Sequence, residues 1–174
     1  FNEMDLDVRK SIAGLPNKSK PIKNWAWFGS MKGAGAFAGR INASNKAFSL
    51  ALDEIPLVGD IRREHYDRFI AQYLKAYRTG RDGLATATRL LAMKRPDVFL
   101  CVDAQNRRKL AQDVGIVSPG RLDYARYWEE VVERLMQSPW WQSPEPTDPL
   151  EREAWNARAA MLDAIFYEEK AKKT

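Results

Sequence analysis

With 174 residues, 45% of them hydrophobic, the chain is long enough to bury a core and is expected to form a single domain, 1–174. A formal charge of +5, from 28 Lys and Arg against 23 Asp and Glu, is a mild basic excess that suits a polyanionic partner without requiring one. Cys101 is the sole cysteine, which excludes a disulfide framework and any cysteine-based zinc or iron–sulfur centre, and no apolar run approaches membrane-spanning length.

Residues 1 to 24 are polar, and Asn17, Lys18, Ser19, Lys20, Pro21 and Lys23 read as a solvated loop. The chain begins at Phe1 rather than Met, so a native start upstream is left open. No signal peptide is visible, and a cytoplasmic protein, nucleoid-associated in a prokaryote, is the simplest expectation. The stretch from Asn24 to Arg40 has the most unusual composition in the chain, four glycines alternating with four large aromatics. Flat apolar walls beside glycines, where a ligand edge can meet the main chain, are what a pocket for a planar base needs. Trp25, Trp27, Phe28, Gly33 and Gly35 are its candidate lining, with Lys32 as a substrate contact or an amine nucleophile. The competing reading makes the aromatics core residues, the glycines relief of crowding and Lys32 a surface cation. The glycines are no dinucleotide fingerprint, since Gly33-x-Gly35-x-x-x-Gly39 has the wrong spacing, and no P-loop, since Lys32 precedes them.

A helix is predicted from Asn42 to Leu52, with Ala47, Phe48, Ala51 and Leu52 on one side; Pro56 and Gly59-Asp60 then turn the chain into a second helix. Asp53 and Glu54, at the turn, are solvated acids and only weak pocket candidates. The second helix carries His65, the sole histidine, and without a second histidine or a cysteine beside it no metal site is expected. Tyr66, Phe69, Ile70, Tyr73 and Leu74 continue at helical spacing to a turn at Gly80-Arg81-Asp82-Gly83, where the helix is expected to end. Leu84, Ala87, Leu90, Leu91 and Met93 form the apolar face of the next helix, which Pro96 stops. The apolar run Val98-Phe99-Leu100-Cys101-Val102 then delivers one carboxylate, Asp103, closely followed by Gln105, Asn106, Arg107 and Arg108.

Helix, glycine hairpin, helix, proline-bearing turn and an aspartate after an apolar run together resemble the signature of the helix-hairpin-helix DNA glycosylases, the superfamily of endonuclease III and the oxoguanine glycosylases. Gly83 lies 20 positions before Asp103, about the separation found in that family, and Val102-Asp103-Ala104-Gln105 is similar to its Val-Asp-x-His except at the last position. The resemblance implies an all-α, helix-hairpin-helix glycosylase-like domain with its core at about 60–115. It also implies DNA as the partner, with no membrane and no obligate protein partner. A monovalent cation at the hairpin is the only cofactor it leaves open. Gly80, Arg81 and Gly83, with Arg107 and Arg108, would hold the DNA backbone, Asp103 would assist departure of the base, and Gln105 would join the substrate side. Ala85 stands where bifunctional members carry their Schiff-base lysine, so hydrolysis without an amine at that position is expected. The hairpin is Gly-Arg-Asp-Gly where the family usually has Gly-x-Gly.

Chemistry gives this pattern a reason. Backbone N–H groups at a glycine turn and the start of the next helix form an anion site that holds a phosphodiester without reading any base. Cleaving an N-glycosidic bond builds positive charge on the sugar, which a nearby carboxylate stabilises while orienting the attacking water. The target atoms lie inside a stacked duplex, so the base must first be flipped into a pocket.

Beyond Asp103, helices are predicted over Gln105 to Val114, Leu122 to Met136 and Leu150 to Glu168, with a loop at Gly115 to Gly120 and a proline-rich connection at 143–149. Trp140 and Trp141 read as packing residues, or as contacts at a nucleic-acid groove. Five or six helices and one short extended segment give an all-α domain. Two alternatives to the enzyme stay open: a DNA-binding module in which Asp103 is only a helix N-cap, and a helical adaptor whose aromatic surface meets another protein.

Overall fold

A computed structural model describes residues 1–15, 34–77 and 83–166, and every regular element among them is helical. The chain divides into two compact units, Phe1–Asp82 and Gly83–Thr174.

The first unit contains α1 (Leu6–Ile12), α2 (Ala34–Ala43), α3 (Asn45–Asp53) and α4 (Arg63–Leu74). The single helix expected from Asn42 to Leu52 is broken at Ser44, which leaves helical geometry as the N-cap of α3. Its core is aromatic. Phe48, fully buried, meets the rings of Phe1, Phe37, Tyr73 and Tyr77 edge-on at centroid distances of 6.4, 6.0, 5.5 and 6.2 Å, the arrangement that ring quadrupoles favour. Phe37 is therefore a core residue of this unit. Arg9 is also buried, and its guanidinium satisfies the carbonyls of Met4 and Asn2 and reaches Asn42 Oδ1. α4 buries Tyr66, Phe69 and Tyr73 at helical spacing, and His65 Nδ1 accepts the Arg62 N–H at its start, so the histidine acts as a cap. The helix ends at Leu74 rather than at Gly80. Lys75, Ala76 and Tyr77 close tightened i→i−3 bonds onto Gln72, Tyr73 and Leu74, and this lets Tyr77 fold back onto Phe48 and share a hydrogen bond with Tyr73.

The second unit is built around residues 95–103. α5 (Leu84–Lys94) buries Ala87, Leu90, Leu91 and Ala92 as its pattern predicts, but its inner face also takes in Thr88 and Arg89 and leaves Met93 exposed. It stops because Arg95, held extended by the following proline, leaves helical geometry at φ −138°, ψ 77°. Val98 to Val102 are then all buried, without a strand partner among the described residues. Buried backbone groups must be satisfied somewhere. Here side chains and distant amides do it: Val102 N–H donates to Thr88 Oγ1, Tyr127 O–H donates to Leu100 O, Asn106 Nδ2 donates to Cys101 O, and Trp141 Nε1–H donates to Asp97 O. Ala159 and Ala160 both donate to Pro96 O.

That last pair explains a second departure from the predicted helices. The helix expected over Leu150 to Glu168 is split into α9 (Pro149–Asn156) and α10 (Leu162–Phe166), because the amides between them are turned toward Pro96 instead of continuing the helical ladder. α9 starts on a strong cap, Asp148 accepting from Leu150 and Glu151 with Pro149 at the first position. α6 (Arg107–Val114) ends at Gly115 in left-handed geometry, and a 3₁₀ turn (Pro119–Arg121) leads to α7 (Tyr124–Arg126). α7 runs through a π-helical segment (Tyr127–Val132) into α8 (Glu133–Met136); Tyr127, Trp128, Val131, Val132 and Leu135 are buried along it, as their spacing predicts. The tryptophans act as ties: Arg158 lies over the rings of Trp141 and Trp155 at 4.7 and 4.0 Å, and Trp140 Nε1–H donates to Arg158 O. Trp140 nonetheless leaves nearly half of its surface in solvent.

Candidate functional site

Of the residues singled out in the sequence, Trp25, Trp27, Phe28, Lys32, Gly33, Gly80 and Arg81 lie outside the described residues. Gly35 falls in the first turn of α2. The remainder, Gly83, Asp103, Gln105, Arg107 and Arg108, belong to the second unit, and Asp103, Gln105 and Arg107 share one turn leading into α6.

Asp103 is half-buried, and one of its oxygens is fixed. Oδ1 accepts the backbone N–H of Gln105 at 2.6 Å and of Asn106 at 3.2 Å, while Asp103 O accepts from Arg107 N. Oδ2 takes no hydrogen bond from any described residue. A short acid at a chain turn adopts this arrangement readily, because its side chain mimics the next turn of backbone. The outcome is a carboxylate of defined direction, held through one oxygen.

Behind it lies a polar cluster that the sequence did not announce. Asn106 is fully buried; its Oδ1 accepts the Asp103 N–H at 2.9 Å, and its Nδ2 donates to Cys101 O and to Asp163 Oδ1 on α10. Burial pushes the Asp163 carboxyl up to about 6, with the Asn106 hydrogen bond and the Arg89 charge pulling the other way and the Asp103 charge adding to the rise. Arg89 is itself buried, which lowers its pKa, and the acidic groups around it, Asp163 and Asp103 included, oppose that loss. Burial, followed by the Asp163 charge, raises the Cys101 thiol, which therefore stays protonated and inert. The only sequence signals were polar residues at positions where apolar spacing called for none: Thr88 and Arg89 beside Ala87 and Leu90, and Asp163 after Leu162.

Family models, curated proteins and solved structures give no match to this chain. Its chemistry is read from its own residues.

Gly83 opens α5 at φ +55°, a left-handed conformation that glycine adopts at little cost, and its carbonyl accepts from the Thr86 and Ala87 amides and from Thr86 Oγ1. A Cβ built there would meet Thr86 Oγ1 at 3.0 Å. Gly83→Ala is expected to cost about 1 to 2 kcal/mol through left-handed strain and this contact, read as a lower thermal midpoint; an unchanged midpoint would mean that the turn relaxes freely. Arg107 Nε is buried without a hydrogen-bond partner, Arg108 is exposed, and Lys109 Nζ is held by Ile165 O, so the three adjacent cations have three different environments. Among the described residues, no group of three or more His, Cys, Asp or Glu side chains could hold a metal ion, and no helix is long and apolar enough to cross a membrane.

Proposed function

We propose that the protein is a monofunctional DNA glycosylase of the helix-hairpin-helix kind, which hydrolyses the N-glycosidic bond of a damaged or modified base with the help of Asp103. The geometry of Asp103 carries the reading: one oxygen is anchored by the Gln105 and Asn106 amides and the other takes no hydrogen bond from any described residue, so the carboxylate is oriented before substrate arrives. A pre-oriented negative charge is worth most where positive charge develops, on a sugar whose base is leaving. The glycine turn at Gly83, which starts α5, and Arg107 and Arg108, close to Asp103 in sequence, are the groups that would meet the phosphodiester backbone in this reading.

The anchored oxygen equally favours a second reading, a DNA-binding module in which Asp103 serves only as a cap. Asp103→Asn separates the two, because the amide oxygen of asparagine can accept the same two N–H groups while the charge disappears. Purified protein is incubated with duplexes bearing different damaged or modified bases and assayed for abasic sites. The glycosylase reading expects release of one class of base, reduced about 100-fold or more in the variant, with DNA affinity retained. Release undiminished in the variant removes Asp103 from the chemistry and overturns the Asp-assisted mechanism; no release from any duplex despite salt-dependent binding transfers the protein to the binding-module reading; no DNA binding at low salt removes both.

A further inference from the structure

Asn106 commits both of its amide donors and its oxygen to a single small region, and that region is the backbone from which Asp103 projects. Nδ2 donates to Cys101 O at 2.6 Å and to Asp163 Oδ1, while Oδ1 accepts from Asp103 N at 2.9 Å. An amide has donors on one side and an acceptor on the other, so its orientation is decided by whatever demands a donor most strongly. Here that is Asp163, 57 residues further along the chain and buried on α10. With a carboxylate facing Nδ2, the oxygen must face the Asp103 N–H. If Asp163 offered no acceptor, the amide could turn over and oppose one N–H with another. Cys101 O and the Asp103 N–H would then resist the flip without the stronger demand of a carboxylate. Lys109 Nζ, bonded to Ile165 O, ties α6 to the same helix, and the Arg89 charge acts on both Asp103 and Asp163 from α5.

We infer that Asn106 and Asp163 are positioning residues for Asp103: α10, acting through this pair, fixes the direction of the catalytic carboxylate. Neither needs to touch DNA. Their role presupposes the glycosylase activity proposed above, and it extends the site by a residue from the far end of the chain.

The test compares wild type with two substitutions that remove the acceptor, Asp163→Ala and the similarly sized Asp163→Leu, and one that keeps it, Asp163→Asn. Two quantities are read: amide hydrogen exchange at Asp103, Gln105 and Asn106, and single-turnover base release with DNA affinity measured separately, on the duplex that wild type processes. Loss of the acceptor is expected to speed exchange at those three amides about tenfold or more while Leu90 and Leu91 in α5 stay protected, and to slow base release about 10- to 100-fold at unchanged DNA affinity. Asp163→Asn is expected to stay close to wild type in both, because its oxygen accepts from Asn106. Unchanged exchange in the acceptor-free variants overturns the brace, as does an Asp163→Asn variant as impaired as they are. Faster exchange with undiminished base release overturns its role in positioning. A wild type that releases no base from any duplex, with exchange still loosened in the variants, fails the glycosylase reading itself and takes the positioning role with it.

Discussion

Asn106→Ala is expected to lower stability by about 3 kcal/mol or more, the largest effect of any single polar substitution in the second unit. The side chain is fully buried and removing it strands three groups together: the Asp103 N–H, the Cys101 carbonyl and the Asp163 carboxylate. An orphaned buried polar group costs about 1 to 3 kcal/mol, more when charged, and the three costs overlap because the groups share one region. Urea unfolding followed by tryptophan emission checks this, since Trp128, Trp140, Trp141 and Trp155 all lie in the Gly83–Thr174 unit. A loss below about 1 kcal/mol would mean that water or rearranged backbone satisfies these groups without Asn106.

Asp163→Asn is expected to stabilise the protein at neutral pH and to leave it unchanged in acid. The Asp163 carboxyl rises from the ordinary 3.8 to about 6 in the folded state, chiefly through burial, and this corresponds to about 3 kcal/mol. For an acid whose folded pKa is raised, protons bind the native state more tightly than the unfolded one. Its contribution is therefore fully present below pH 3.8 and lost as pH rises through about 6. Asparagine keeps an acceptor for Asn106 Nδ2 and carries no charge to bury. The variant's advantage over wild type should thus grow from near zero at about pH 4 to as much as about 3 kcal/mol above about pH 7. Comparing the two proteins at each pH cancels the other carboxylates. A flat difference across that range would mean that Asp163 is ionised at little cost, with Arg89 offsetting its burial in full.

Both predictions concern residues that a reader of the sequence would pass over, whereas Asp103 and Gly83 stand out in it. Gly83 was marked by the turn, and it sits at positive φ as a glycine turn requires. Asp103 was marked by the five apolar residues before it, which are buried; it was expected as a helix N-cap if not catalytic, but Asn106 is the N-cap of α6, and the Asp103 side chain bonds to amides of the turn before that helix. Pro96 ended α5 where its chemistry requires. The helix ends that were misplaced share a cause. α4 stops at Leu74 because Tyr77 folds back on Phe48, and the final helix splits because Ala159 and Ala160 turn toward Pro96.

The sequence by itself determined the helical character of the described residues, the buried faces of α3, α4 and the segment from Tyr127 to Leu135, and the turn that presents Asp103. These depend on spacing, on proline and glycine, and on short side chains bonding to nearby backbone, all of which act within a few residues. Only the tertiary structure decided which polar side chains went inside. The run from Val98 to Val102 is buried without a strand partner among the described residues, and its backbone groups had to be met from elsewhere: Thr88 from the preceding helix, Asn106 from the following turn and Tyr127 from further on. Asp163 was then drawn in to complete Asn106. A buried hydrogen bond is specified by two positions far apart in the chain, and neither of them alone carries a pattern that periodicity can read.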